Sequence, residues 1–212
     1  VEIVTGDTKV VDRGHGDGVY INTAGVGSIR LPLDPDCPIR PGDAVVLSGD
    51  IGRHGIAIMA EREGIAFRST IESDCAPLNH LVTRLLDRGI VPRCMRDLTR
   101  GGLATAIVEL AAAARVRVEL QGEAVAVEPE VRGACELLGL DPLYVANEGR
   151  MIAIVPAGQV DDALAVFRAE NEHAGVIGYA GESERGGVNL ISEIGTTRRL
   201  DLLSGEQLPR IC

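Results

Sequence analysis

Between Leu103 and Ala114 the apolar residues Leu103, Ile107, Leu110, Ala111 and Ala114 recur at helical spacing, directly behind the glycine pair Gly101-Gly102. The pattern predicts a helix with one continuous apolar face, and such a face must be buried against a sheet or another helix. Strand-like runs are interleaved with it at Ala44 to Ser48, Val116 to Leu120, Met151 to Val155, Val176 to Tyr179 and Val188 to Ser192. Further helices are predicted at Ile51 to Glu61, Pro77 to Arg88, Pro129 to Leu138 and Gln159 to Glu172; the second carries Leu78, Leu81, Val82, Leu85 and Leu86 on one face. Strands mixed with helices in this way predict an α+β layered domain. Its core must be aliphatic, because the 212 residues include no Trp, 2 Phe and 3 Tyr.

The chain opens in strand-like material, Val1-Glu2-Ile3-Val4, with no start methionine, and a second strand is predicted at Gly18 to Thr23. This opening is expected to be part of something longer, the remnant of an N-terminal β-rich domain. Pro32 to Asp43 is dense in Pro and Asp, which favour turns, and a boundary is expected there. The expected organisation is therefore residues 1–40 as the end of an N-terminal domain, 41–195 as a C-terminal α+β domain and 196–212 as a flexible tail. From Thr197 the tail would span roughly 50 Å if extended at ~3.3 Å per residue.

A formal net charge of -10 argues against nucleic acid, whose affinity comes from Lys and Arg neutralising phosphates. It leaves room for a nucleotide, since local backbone N–H groups and a few cations bind phosphate on an acidic protein. With neither an eighteen-residue apolar run nor a basic-then-apolar leader, the expectation is a soluble chain with no membrane span. Five scattered cysteines, Cys37, Cys75, Cys94, Cys135 and Cys212, form no Cys-x-x-Cys pair, which suits reduced thiols in the cytoplasm. Cys135 falls at an apolar helical position and reads as core.

Three segments carry chemistry by residue type. Arg96-Asp97-Leu98-Thr99-Arg100-Gly101-Gly102 precedes the Leu103 helix, where two glycines bring backbone N–H groups close to an anion and Asp97 can hold a divalent cation bridging to phosphate. A capping Asp or Thr after a glycine turn explains the same segment. Lys9, in Val4-Thr5-Gly6-Asp7-Thr8-Lys9-Val10-Val11, is a compact cation suited to a transferring phosphoryl group, or else a solvated surface lysine. Glu148, in Asn147-Glu148-Gly149-Arg150, is a base projecting from a loop or an ordinary loop glutamate. Finally, the chain ends Pro209-Arg210-Ile211-Cys212, and a thiol on a free end can carry a group from one active site to another.

These segments, together with Ile21-Asn22-Thr23-Ala24-Gly25, Pro41-Gly42-Asp43 and Ser48-Gly49-Asp50-Ile51-Gly52-Arg53-His54-Gly55, resemble the HypE family. Its members are carbamoyl dehydratases of nickel–iron hydrogenase maturation, in the superfamily of aminoimidazole ribonucleotide synthetase, selenophosphate synthetase and thiamine-monophosphate kinase. The resemblance runs the length of the chain in the family's order. Asp97-Leu98-Thr99 is shared by the superfamily, whereas the terminal Pro-Arg-Ile-Cys is more specific. A first third present in the family, which contributes to the ATP and magnesium site, has no counterpart here. The resemblance implies that residues 1–40 end an ATP-site and dimerisation domain, with a homodimer in the full-length form. It implies ATP and magnesium as cofactors, a carbamoyltransferase partner that loads Cys212, and an iron-carrying maturation complex that accepts cyanide. Lys9 would steady the carbamoyl oxygen and transferring phosphate, and Glu148 would be the base. Asp97 and Thr99 would sit near magnesium and phosphate, and Gly101 and Gly102 would present N–H donors. Two other readings stand beside it: a superfamily phosphotransferase acting on a small molecule, and a noncatalytic piece that docks a partner through its tail.

Overall fold

A computed structural model of the chain describes residues 2–31, 38–64, 71–183 and 185–202. The chain divides into two units, Val1–Pro32 and Leu33–Cys212. The division falls earlier than the boundary expected after residue 40, and Ile39 is buried in the core of the second unit. In the first unit, residues 2–31 contain turns but no strand, and nearly every side chain is exposed. The strands expected at Val1 to Val4 and Gly18 to Thr23 are therefore not formed among the described residues. Apolar alternation supplies only one face of a strand, and the ladder that defines it needs a partner's N–H and C=O groups.

The second unit is built on a seven-stranded sheet. In chain order its elements are β1 (Ala44–Leu47), α1 (Arg53–Glu63), α2 (Asn79–Asp87), β2 (Cys94–Asp97), α3 (Gly102–Ala114) and β3 (Arg117–Gln121). They continue with α4 (Pro129–Leu138), β4 (Met151–Val155), α5 (Val160–Arg168), β5 (Gly175–Gly181), β6 (Gly187–Ile191) and β7 (Thr197–Leu200). The spatial order is β2-β4-β1-β5-β3-β6-β7, antiparallel throughout except for the parallel β3/β6 pair. This is the α+β arrangement expected from the interleaved periods.

Both sheet faces are covered, and the side-chain alternation of the inner strands sorts their residues between two cores. Ile152 and Ile154 of β4, with Val45 and Leu47 of β1, face the side that holds Leu103 and Ile107 of α3. Met151, Ala153 and Val155, with Val46, face Leu81 and Leu85 of α2 and Phe167 of α5. A continuous apolar run such as Met151–Val155 is what a strand buried on both faces requires. A smaller cluster joins Ile56 of α1 to Val131, Ala134 and Cys135 of α4.

Two strands differ from the sequence expectation. Cys94–Asp97 had no strand signal, because only Cys94 is buried and its Arg and Asp lie exposed at the sheet's edge. Thr197–Leu200, expected to open the tail, is strand β7, paired with β6 from Ile191↔Thr197 to Val188↔Leu200. Three of its four residues are exposed and two are arginines, a composition that blunts an edge strand and reads in sequence as a solvated segment. The helix expected over Gln159 to Glu172 is shorter: a 3-10 turn at Ala157–Gln159 leads into Val160–Arg168. Residues 203–212, with Cys212, lie outside the described residues.

Candidate functional site

β2 and β4 are antiparallel neighbours with Asp97 opposite Met151, so the loop leaving β2 and the loop entering β4 lie side by side at one end of the sheet. Leu98 is fully buried and ties them together. Its N–H donates to the Arg150 carbonyl (3.1 Å), while its carbonyl accepts from the Asn147 backbone N–H (3.0 Å) and from Asn147 Nδ2 (3.1 Å). Asn147 is itself fully buried; its Oδ1 accepts from Gly52 N–H at 2.7 Å and its Nδ2 also donates to the Val145 carbonyl at 3.1 Å. One amide side chain thus fastens the start of α1 and both loops. The fold brings the Asp97-Thr99 segment and the Glu148 segment, 51 positions apart in the sequence, onto adjacent loops.

On the first loop Thr99 Oγ1 donates to Asp97 Oδ2 at 2.7 Å, and both side chains are solvent-facing. Gly101 and Gly102 follow at φ 70° and 59°, left-handed values that glycine adopts at little cost. Gly102 is also required by space: a Cβ there would stand 2.6 Å from the carbonyl oxygens of Leu143 and Val145. Its N–H, expected to face an anion, donates instead to the Thr99 carbonyl at 3.1 Å. Leu103 and Ala104, which follow it in α3, are fully buried.

On the second loop the backbone around Glu148 is gripped by a residue that sequence reading passed over. Asp74, 4% exposed, accepts at Oδ1 from the N–H groups of Glu148 (2.7 Å) and Gly149 (3.2 Å). Gly149 approaches so closely that a Cβ would lie 2.0 Å from the Asp74 carbonyl oxygen. Asp74 Oδ2 and Glu148 Oε1 are buried without a hydrogen-bond partner among the described residues. Beside them Ser73 Oγ accepts from Cys75 N–H at 3.1 Å and lies 2.9 Å from His54 Nδ1 of α1.

Behind the loop is a buried ion pair. Arg150 Nη2 donates to Asp50 Oδ1 at 2.7 Å and its Nε to the Asp50 carbonyl at 2.9 Å. Arg53 Nε stands 2.7 Å from Asp50 Oδ2, a charge contact without hydrogen-bond alignment. Burial pushes the Asp50 carboxyl up, but the hydrogen bond and charge of Arg150, then Arg53 and Asn171, outweigh it and hold the group below its ordinary value.

Lys9 is exposed within the first unit. No group of three His, Cys, Asp or Glu side chains suited to a metal ion occurs among the described residues, so Asp97 offers a single carboxylate. What the sequence left unseen, the clamp from Asp74 and the Asp50–Arg150 pair, joins loops 74 to 100 positions apart. The one signal was an acid in a non-periodic stretch just before a helix, which reads equally as a cap.

Residues 40–191 match the family described as AIR synthase related protein, C-terminal domain. Over its whole length the chain is similar to the carbamoyl dehydratase HypE of Rhodobacter capsulatus (47% identity, 63% of that protein covered) and to that of Cupriavidus necator (49%, 61% covered). It spans about three fifths of the length of these curated relatives. Among solved structures, hydrogenase maturation protein HypE superposes with a TM-score of 0.81 at 40% identity, over 86% of this chain and 60% of that one. HypE in complex with ATP superposes at 0.79 and 40% identity, over 84% and 55%. A HypE–HypF complex superposes at 0.73 and 34%, over 79% and 55%.

Proposed function

The chain belongs to the AIR synthase related family through its C-terminal domain, and from that premise we propose that it serves the ATP-dependent dehydration of a carbamoyl group carried on Cys212 to a thiocyanate. The observation that carries the reading is the similarity to carbamoyl dehydratases along 100% of the chain at 47–49% identity. The paired loops support it: a carboxylate, Glu148, stands beside a segment with the glycine turn, hydroxyl and acid that phosphate chemistry uses.

Dehydrating an amide requires its oxygen, a very poor leaving group, to become a good one. ATP supplies that change by giving its γ-phosphoryl group to the carbamoyl oxygen, with release of ADP and one N–H proton. The O-phosphorylated thioimidate on Cys212 then loses phosphate by cleavage of its C–O bond. Glu148 takes the remaining N–H proton and leaves S–C≡N on the cysteine. Lys9 stabilises the charge on the carbamoyl oxygen and the transferring group. Asp97, with Thr99 oriented on its Oδ2, would hold magnesium through its one carboxylate, and the ion would offset the charge of the phosphates. The backbone N–H of Gly101, in the glycine turn before α3, receives a phosphate oxygen.

The nucleophile at Cys212 is the thiolate, and its activation for loading falls to a partner. A carbamoyltransferase is the partner that loads it, in keeping with the HypE–HypF complex among the similar structures. An iron-carrying maturation complex takes the cyanide, and the longer form is a homodimer working in the cytoplasm. Among the described residues no helix is long and apolar enough to cross a membrane.

Intact mass of the protein, incubated with the carbamoylating partner, carbamoyl phosphate and ATP, tests the reading. A carbamoyl adduct on Cys212 that converts to a cyano adduct is expected. Glu148→Gln should retain the first adduct and slow the second by a factor of about 10² to 10⁴, the usual loss for a positioned base. Adducts on another cysteine, or conversion at the unmutated rate in Glu148→Gln, would overturn it.

A further inference from the structure

We propose that Asp74 is a positioning residue for this reaction, holding Glu148 where it meets the carbamoyl nitrogen; the proposal rests on the reading of Glu148 as the base. Burying a carboxylate is costly, and evolution of a stable loop alone does not require one. Asp74 is nevertheless 4% exposed, and no cation is paired with it among the described residues. What its Oδ1 holds instead is the backbone of the candidate base itself, through the successive N–H groups of Glu148 and Gly149. Charge-assisted bonds of this kind are shorter and stronger than neutral ones.

The clamp is fixed from both sides. Gly149 abuts the Asp74 carbonyl so closely that no side chain fits between them. Ser73, next in the chain, is tied to His54 of α1, so the Asp74 loop is anchored to a helix rather than adrift. Through Arg150 and Asn147, the same Glu148 loop is bonded to Leu98, and hence to the Asp97-Thr99 segment. Asp74 therefore sets the place of Glu148 relative to the loop that receives phosphate. A displacement of about 1 Å in such a group costs on the order of a hundredfold in rate.

Single-turnover mass analysis separates loading of Cys212 from its conversion, and ATP titration gives KM. Asp74→Ala removes the acceptor for both N–H groups, whereas Asp74→Asn retains an oxygen in its place. Asp74→Ala is expected to load carbamoyl fully, to convert it roughly tenfold to a hundredfold more slowly, and to keep KM for ATP within about twofold. Asp74→Asn should recover most of the rate. Gly149→Ala, which displaces the same loop from the other side, should show the same split and serves where Asp74→Ala does not fold. Conversion at the unmutated rate in Asp74→Ala overturns the proposal, as does a loss in both Asp74 variants of loading and conversion together with a lowered Tm. Glu148→Gln run alongside tells the two ideas apart. If it converts normally, the reading of Glu148 as base fails and the positioning role with it; if it is blocked while Asp74→Ala is not, only the positioning role fails.

Discussion

Asp50 is the residue at which charge and burial most clearly oppose each other. Burial favours its neutral form, yet the hydrogen bond and charge of Arg150, aided by Arg53 and Asn171, lower its pKa below the ordinary 3.8. A carboxyl whose folded-state value lies below its unfolded value contributes stability that is complete above the unfolded value and is lost as pH falls through the folded one. The window is therefore acidic, from about pH 4 downward. Asp50→Asn should flatten the pH dependence of unfolding free energy in that window. At neutral pH it should cost about 3–5 kcal/mol, because Arg150 keeps its charge at a buried site with no counter-charge. Urea titrations from pH 2.5 to 7 check both, and an unchanged acid limb would assign the acid sensitivity to other carboxylates. The cysteines divide by the same logic. Burial, then the nearby charge of Asp141, pushes the Cys135 thiol up to about 11, and Cys94 is also buried, while Cys75 is exposed. Brief iodoacetamide treatment of the native protein at pH 7.5 should therefore alkylate Cys75 and spare Cys94 and Cys135. Peptide mapping that finds Cys135 modified first would contradict this.

Helix termini show how an element can depend on one residue for two separate reasons. Gly139 caps α4 at φ 70° with open space where a Cβ would go, so Gly139→Ala should cost about 1 kcal/mol of left-handed strain. Gly102 begins α3 at φ 59° and also lies against the carbonyls of Leu143 and Val145, 2.6 Å from any Cβ. Backbone oxygens cannot swing aside as a flexible side chain does, so Gly102→Ala should cost at least twice as much, roughly 2–3 kcal/mol. Denaturant midpoints of the two variants decide it, and equal losses would mean that the Leu143–Val145 turn yields easily. The elements legible in the sequence were those whose apolar period is complete: α3, the Pro129–Leu138 helix and the fully buried Met151–Val155 strand. β2 and β7 were not, because an edge strand buries one side of a few residues and fills the rest with charge. In the opposite direction, Gly18 to Thr23 has strand-forming residues and no strand, since composition cannot supply the neighbouring ladder.

At the scale of the molecule, motif residues near one another in sequence, such as Asp97 with Thr99, were readable, while the buried partners that position them were not. Asp74 meets Glu148 from 74 positions away and Asp50 meets Arg150 from 100, and no local pattern encodes such pairings. The same blindness hid the end of the sheet. β7 reads in sequence as tail because the stretch lacks strand or helix periodicity, but Leu200 is 1% exposed and belongs to the core that holds α3, and the next carbonyl, of Asp201, accepts from Tyr144 Oη at 2.9 Å. This places the last structural requirement of the described fold at Leu200 and Asp201, not before residue 196. A chain shortened to residues 1–202 retains all of β7 and the Asp201 carbonyl and is the reference for a shorter one. One shortened to residues 1–196 forfeits the burial of Leu200, worth about 1.5–3 kcal/mol, and leaves β6 as an unpaired edge, so it should lose at least that much and gain a tendency to associate. Both shortened chains should fail to take a carbamoyl adduct, because neither retains Cys212. Calorimetry and light scattering on the pair test the boundary. If the 1–196 chain proves as stable as the 1–202 chain, β7 and Leu200 add nothing to the core and the boundary falls at residue 196 after all.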